Sequence, residues 1–401
     1  MTGSSRRTAS ALALALVLAA CDAGEPPEGS AGQPAATVTL QQADASPRED
    51  VPSALDDMGD PSFPEPLVDP DEILSGGPPP DGIPAIDAPT FLRVDDVNWL
   101  DDTEAVLSLT IEGETHGYPI QVMTWHEIVN DTVGGVPVAA TYCPLCNSGV
   151  AFDRRVEGRV LSFGTSGRLH ASNLVMYDRQ TETLWPQLTG QASVGVLTGA
   201  TLASYPMPPV AWRDFQRAHP DAWVLSRDTG FSRDYGANPY AGYDDVDSSP
   251  LFPAPGGDDD RLAAKERVVA LRGDGETVAV LRAAVERAGV LTETVDGQEL
   301  VLWHQEGQAS ALDTGLVAGG RDIGSVAVFD PTVGGRVLSF TTDGAGFTDT
   351  QTGSRWNILG QATDGPLTGE QLTAYPFVDT FWFTWVAFQP ATRLVTGRST
   401  P

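Results

Sequence analysis

Beyond residue 90 the chain is patterned mostly for strands, with short helical stretches between them. AVLSLTIEGETHGYPI (105–120) alternates apolar and polar residues about Glu112-Gly113, as two strands joined by a tight turn would. VMTWHEIVND (122–131) instead places Val122, Trp125, Ile128 and Val129 at helical spacing and predicts a short helix. VPVAATY (136–142) predicts a buried strand, and GVAFDRRVEGRVLSF (149–163) a second hairpin turning at Glu157-Gly158. ASNLVMYD (171–178) reads as strand and residues 210–219 as helix. Further on, ETVAVLRAAVERAG (276–289) predicts a helix and ELVLWHQ (299–305) a strand. The predicted class is α+β and β-rich, with sheet dominant.

The pattern repeats. GQASVGVLTGATLASYP (190–206) aligns without gaps on GQATDGPLTGEQLTAYP (360–376), with ten of 17 positions identical. Upstream, Asp178-Arg-Gln-Thr…Trp185 matches Asp349-Thr-Gln-Thr…Trp356, and RVLSF occurs at 159–163 and again at 336–340. A weaker match pairs 111–143 with 273–305. The expectation is two tandem related copies of one sheet-dominated unit, residues 91–265 and 266–401. Two copies are too few for a solenoid.

The N-terminus has the form of a secretion signal. Arg6 and Arg7 precede the apolar run ASALALALVLAA (9–20), which is too short to span a bilayer as a permanent helix. Leu18-Ala19-Ala20-Cys21 resembles the bacterial lipobox. That resemblance implies a signal peptide at 1–20 and diacylglycerol on Cys21, hence an extracytoplasmic protein anchored in membrane lipid. Residues 21–90 are rich in Pro, Gly and acidic side chains and poor in bulky apolar ones, so a disordered linker is expected there. The 24 basic and 54 acidic side chains leave a net charge of −30, which repels nucleic acid.

Candidate chemistry centres on Tyr142-Cys143-Pro144-Leu145-Cys146, a C-x-x-C pair following a predicted strand. Outside the cytoplasm such a pair reads as a reversible dithiol/disulfide, as soft metal ligands or as a structural staple. Because GVAFD after the motif looks like strand, a thioredoxin fold is not expected. In the repeat frame Cys143 falls on Gln305, Cys146 on Gln308, His126 on Ala288 and Glu127 on Gly289. The first copy is therefore expected to be the working half. The leading reading is a thiol-disulfide oxidoreductase using Cys143 and Cys146, with His126 or Glu127 handling protons and no certain cofactor. Its partner would be an unknown thiol, disulfide or peroxide. A second reading is copper binding by Cys143, Cys146, His170 and Met176, with His126 a further candidate. A third is a binding scaffold in which the pair is a staple. Arg154, Arg168, Asn173, Asp178 and Arg179 are candidates to line a polar cleft.

HEIVND (126–131), TYCPLCNSGVAFDR (141–154), FGTSG (163–167), SNLVMYDRQTETLW (172–185) and RDYGANPYAGY (233–243) resemble the bacterial domain-of-unknown-function family 3179. The resemblance spans most of residues 95–400 and supplies no substrate. Some relatives are described as selenoproteins. Selenium in place of a cysteine of this motif would imply redox chemistry at Cys143 and Cys146.

Overall fold

A two-residue hairpin turn needs both central residues at positive φ, and the chain supplies them at Glu112 (50°) and Gly113 (82°). They join β1 (Ala105–Ile111) to β2 (Glu114–Pro119), in the predicted register. The computed structural model describes residues 38–39, 46–254 and 259–397. The signal, Cys21 and the early linker therefore lie outside the described residues, apart from Val38–Thr39, which pairs with Thr90-Phe91.

In the first half β2 leads directly into α1 (Ile120–His126), then β3 (Ile128–Val133), β4 (Val136–Cys143) and β5 (Ser148–Asp153). β6 (Phe163–His170), β7 (Asn173–Asp178) and β8 (Leu184–Pro186) form a second antiparallel sheet. β9 (Ser204–Tyr205) returns to the edge of β5, and β10 (Pro209–Ala211) to the edge of β1. α2 (Trp212–Ala218) and β11 (Trp223–Leu225) complete the half, β11 lying parallel to β2.

The second half follows the same order and pairing. β12 (Arg267–Arg272) pairs with β13 (Thr277–Leu281), α3 (Arg282–Ala288) follows, and β14 (Val290–Val295), β15 (Gln298–Gln305) and β16 (Ser325–Asp330) form a sheet. β17 (Phe340–Thr342), β18 (Phe347–Asp349), β19 (Arg355–Trp356) and β20 (Ala362–Asp364) form another. β21 (Thr373–Ala374) edges β16, β22 (Phe377–Phe381) edges β12, α4 (Trp382–Phe388) follows, and β23 (Arg393–Val395) lies parallel to β13.

The repeated sequence strings occupy equivalent places. Asp178 accepts hydrogen bonds from Thr181, Thr183 N and Trp185 Nε1, and Asp349 from Thr352, Ser354 N and Trp356 Nε1. Each buried carboxylate thus satisfies one tight turn. Gly190 and Gly360 are both left-handed, and a Cβ there would stand 2.4 Å from Phe152 or 2.6 Å from Phe329. Only glycine fits such an approach.

The halves interlock. β10 and α2 of the first carry Trp212 and Phe215 into the core that holds Trp303 and Phe329, and Ala211 N donates to Ser325 Oγ at 3.1 Å. In return β22 and α4 of the second lie over the first: Thr380 Oγ1 (2.7 Å) and Phe381 N (3.2 Å) donate to Cys146 O.

The fold is β-rich, and its four α-helices among the described residues are seven residues each. Helices that short are unstable alone and are held by packing. Three local expectations are corrected. The first helix ends at His126, because Glu127 turns left-handed and Ile128–Val133 becomes strand. ETVAVL belongs to β13 up to Leu281, pairing on both sides, and only Arg282–Ala288 is helical. Residues 46–90, expected as linker, are docked instead. Ile86 exchanges backbone bonds with Ile128 and Asn130, Leu74–Ser75 pairs with β6, and Ala54, Ile73 and Ile86 are buried. The few apolar residues of that stretch sit where they can be covered, and that suffices to order it.

Candidate functional site

The C-x-x-C motif forms the loop of the β4–β5 hairpin. Cys143 ends β4 opposite Ser148, the first residue of β5. Pro144, Leu145, Cys146 and Asn147 make the turn, closed by Asn147 N on Pro144 O at 3.2 Å and by left-handed Asn147. Asparagine tolerates that conformation better than most side chains. Strand follows the motif, as expected, so no helix N-terminus acts on either thiol.

Both thiols are free and buried, Cys143 1% and Cys146 0% exposed. Buried cysteine is often just a small apolar filler. Here polar groups converge on the sulfurs. Asn173 Nδ2 lies 3.1 Å from Cys146 Sγ, and Ser148 Oγ lies 3.0 Å from it. Leu174 N donates to Cys143 Sγ at 3.4 Å, and Ser172 O is 3.7 Å from the same sulfur. Behind them Gln187 ties the group together: its Oε1 accepts from Asn173 Nδ2 and Ser148 Oγ, both at 2.9 Å, and its Nε2 donates to Thr141 Oγ1 at 2.9 Å. Thr141, Ser148, Asn173 and Gln187 are all buried. Burial, and then the neighbouring Cys146 sulfur, push the Cys143 thiol well above its usual pKa.

Glu127 is the unusual residue of the site. It holds φ 59° at the C-terminus of α1, where non-glycine residues are strained by about 1–3 kcal/mol. The corresponding residue after α3 is Gly289, at φ 67°. The backbone roles match: Tyr142 N donates to Glu127 O at 2.8 Å, and His304 N to Gly289 O at 2.9 Å. Burial pushes the Glu127 carboxyl well above the usual range, and Cys143 is the neighbouring charge that adds to the shift. The hairpin turn between β6 and β7 is strained as well, with Ala171 (51°) and Ser172 (58°) both left-handed. Four of the nine non-glycine residues with positive φ among the described residues (Glu127, Asn147, Ala171 and Ser172) lie in the segments that carry the thiols and their partners. Strain gathered in one place is a mark of functional sites.

The cover comes from three segments. Phe381 and Phe383 of the second half, Leu312 of its β15–β16 connection and Tyr243 share one apolar core with both sulfurs. Tyr243 is held by Lys265, whose Nζ sits 3.7 Å above its ring and donates to its carbonyl at 2.7 Å. The Tyr240 hydroxyl is raised in pKa by burial first, then by Glu127 and Cys143.

The other candidates fall elsewhere. His126 is buried with both nitrogens engaged: Nδ1 donates to Pro84 O at 2.7 Å, and Nε2 lies 2.6 Å from the Tyr235 hydroxyl. Burial lowers its pKa, and no hydrogen bond links it to the thiols. The His170 ring meets Phe388 edge-on at 5.1 Å, and its buried Nδ1 has no hydrogen-bond partner among the described residues. Met176 packs in the same core as the sulfurs. Among the described residues no three His, Cys, Asp or Glu side chains converge, so His170 and His126 do not join the two sulfurs as ligands. Arg154 donates to Leu161 O and Asp131 O and supports the framework, while Arg179 pairs with Asp81 and Asp87 of the docked N-terminal segment. Arg168 reaches Leu55 O of that segment at 3.1 Å. Of the polar-cleft candidates, Asn173 alone reaches a thiol.

The sequence model of a family described as "Protein of unknown function (DUF3179)" matches residues 80–392. The chain belongs to this family. No curated protein and no solved structure matches it. The family span takes in the docked segment from residue 80, both halves and every residue of the site just described.

No motif in the sequence marks Ser148 beside Cys146, or Gln187 and Thr141 behind it. The repeat held a signal for Thr141 and Gln187 but not for Ser148, whose place at the start of β16 is taken by Ser325. At the positions of Thr141 and Gln187 the second half has Trp303 and Ile358, and its β17–β18 hairpin turns at 343–346, short of the place that Asn173 occupies in the first. Polar residues of the first half that turn apolar in the second mark the site.

Proposed function

We propose that this DUF3179 protein is a thiol redox protein in which Cys143 and Cys146 cycle between dithiol and disulfide. The supporting observation is the polar cradle built around two free, buried sulfurs, with Glu127 held at a strained backbone position and bonded through its carbonyl to Tyr142 N, next to Cys143 in the chain. A packing role needs neither the cradle nor the strain. Glu127, whose carboxyl burial raises above the usual range and whose carbonyl bonds the backbone of Tyr142, is the group proposed to exchange a proton with Cys143. The resemblance of Leu18–Cys21 to a lipobox supports export and anchoring through Cys21, with the cycle outside the cytoplasm. The matched order and pairing of the halves support an origin by duplication, with the first half keeping the chemistry.

The test is a redox titration of the solubilised full chain. A potential between about −120 and −270 mV matches exchanging thiol proteins. A pair that stays oxidised below about −300 mV is a staple, and the proposal fails.

A further inference from the structure

Resting on the dithiol reading above, we propose that Cys146 attacks and Cys143 resolves, that Asn173 is the positioning residue that makes them unequal, and that the oxidant is a small hydroperoxide.

The directions of the hydrogen bonds are fixed from their ends. Leu188 N–H donates to Asn173 at 2.9 Å, so the atom it meets is the amide oxygen and the opposite atom is the NH2. Ser148 O can only accept, so the Gln187 atom 3.2 Å from it is nitrogen, and Gln187 Oε1 faces Asn173 and Ser148. The Thr141 hydroxyl is committed to Val150 O at 2.7 Å and accepts from Gln187. One N–H of Asn173 goes to Gln187, and the other is left for Cys146 Sγ. The Ser148 hydroxyl bonds Gln187 Oε1 and can rotate to the same sulfur. Cys146 therefore has one fixed donor and one that can swing to a thiolate. Cys143 has a single, longer backbone donor, and its neighbouring carboxyl would repel a thiolate if ionised.

The cover selects the oxidant. Cys143 is 1% and Cys146 0% exposed in one apolar core with Phe381, Phe383, Leu312 and Tyr243, so the surface of a protein disulfide cannot meet the sulfurs, and the oxidant proposed is a neutral molecule of a few atoms. The Cys146 thiolate attacks one peroxide oxygen, and the O–O bond breaks. The leaving oxygen takes a proton and departs as water or alcohol, and Cys146 becomes a sulfenic acid. The Cys143 sulfur then attacks Cys146, the S–S bond forms, the S–O bond breaks, and a second water leaves with the Cys143 proton. Two thiols lose two electrons and the peroxide gains them. A small thiol reductant resets the pair: its thiols give up two electrons and two protons and leave as a disulfide, and the S–S bond returns to two thiols.

The experiment treats full-chain Cys143→Ser and Cys146→Ser with hydrogen peroxide and a sulfenate-trapping dione, read by mass spectrometry. Trapping at Cys146 in C143S at least about ten-fold faster than at Cys143 in C146S is expected. The reverse order overturns the assignment and leaves the dithiol reading standing. A wild-type pair that oxidised glutathione converts and hydrogen peroxide does not overturns the peroxide class. A pair that neither oxidant converts overturns the dithiol reading itself. In the C143S background, Asn173→Ala should slow trapping about ten-fold and move the midpoint of its pH profile upward. A slower rate with an unmoved midpoint overturns the positioning role. Ser148→Ala, a smaller truncation on the same sulfur, should move the midpoint in the same direction and gives the answer if N173A does not fold.

Discussion

The two halves put the same strands to opposite uses. In the second, Trp303 on β15 stacks on Phe347 at 4.1 Å and meets Phe329 and Phe340 at 4.9 Å each, so the space between its sheets is filled with aromatic carbon. In the first, Thr141 stands at the Trp303 position and Met176 at that of Phe347. The space is taken by Gln187, Asn173, Ser148 and the two sulfurs. Gly289 ends α3 without strain, whereas Glu127 ends α1 with it. One half has the residues that stability favours at these places. The other keeps residues that stability disfavours, which is the contrast the proposed dithiol site would leave.

The largest effect expected from disturbing this contrast is at Trp303. Trp303→Ala should destabilise the protein by about 3–5 kcal/mol in urea unfolding, because it empties an aromatic core. Thr141→Val, at the same position of the first half, should cost only about 1–2 kcal/mol through the lost partner of Gln187. Equal losses would remove the distinction between a packed half and a polar one.

An intermediate effect is expected where the helices end. Glu127→Gly should stabilise the fold by about 1 kcal/mol or more, by relieving the left-handed strain. Gly289→Glu should destabilise it, since its Cβ would stand 2.4 Å from Thr342 Cγ2. Glu127→Gln separates charge from strain. The Glu127 pKa is raised in the fold, so its contribution is fully present below about 4.5 and is lost as pH rises toward the folded value. Thermal melts should therefore coincide for wild type and E127Q near pH 4 and favour E127Q at pH 7. A constant difference across that range would mean that the carboxyl is not held protonated.

The smallest effect concerns His116, at a position occupied by Val278 in the second half. His116 is buried between Asp131 (2.8 Å) and Glu114 (2.9 Å), and Asp131 also accepts from Tyr118 at 2.7 Å. Burial opposes the imidazolium, but hydrogen bonds and charge from Asp131 and then Glu114 outweigh it and raise the pKa. Its stabilisation is complete below about 6.5 and is lost as pH rises through the folded value. Melting temperature should fall on that alkaline side in wild type, and His116→Gln should flatten the fall. A wild-type melt with no alkaline fall in this window would show that His116 does not hold its proton between the two carboxylates.

Much of this was legible along the chain. Glu112-Gly113 and Glu157-Gly158 marked their turns because only a few residues accept positive φ. The Asp-x-x-Thr…Trp strings marked equivalent turns because each aspartate bonds partners only a few residues away. Local chemistry leaves local signals. The helix boundary at His126 was not legible, because Ile128 and Val129 fit helix and strand alike until β4 pairs with them. The docking of residues 46–90 was hidden for a similar reason: Ala54, Ile73 and Ile86 are too sparse to show a period, yet each meets a prepared surface.

The sequence by itself determined the β-rich class, the repeated strings, the family and the Cys143–Cys146 motif, since each is a matter of residue type and short spacing. Tertiary structure alone decided that the Glu127 carbonyl bonds Tyr142 N, next to Cys143, while both His126 nitrogens bond elsewhere. It also decided that Asn173 and Gln187 reach across from another sheet, and that Phe381 of the other half covers the pair. Those contacts join residues far apart in the chain, and only closure of the sheets and interlocking of the halves brings them within hydrogen-bond reach.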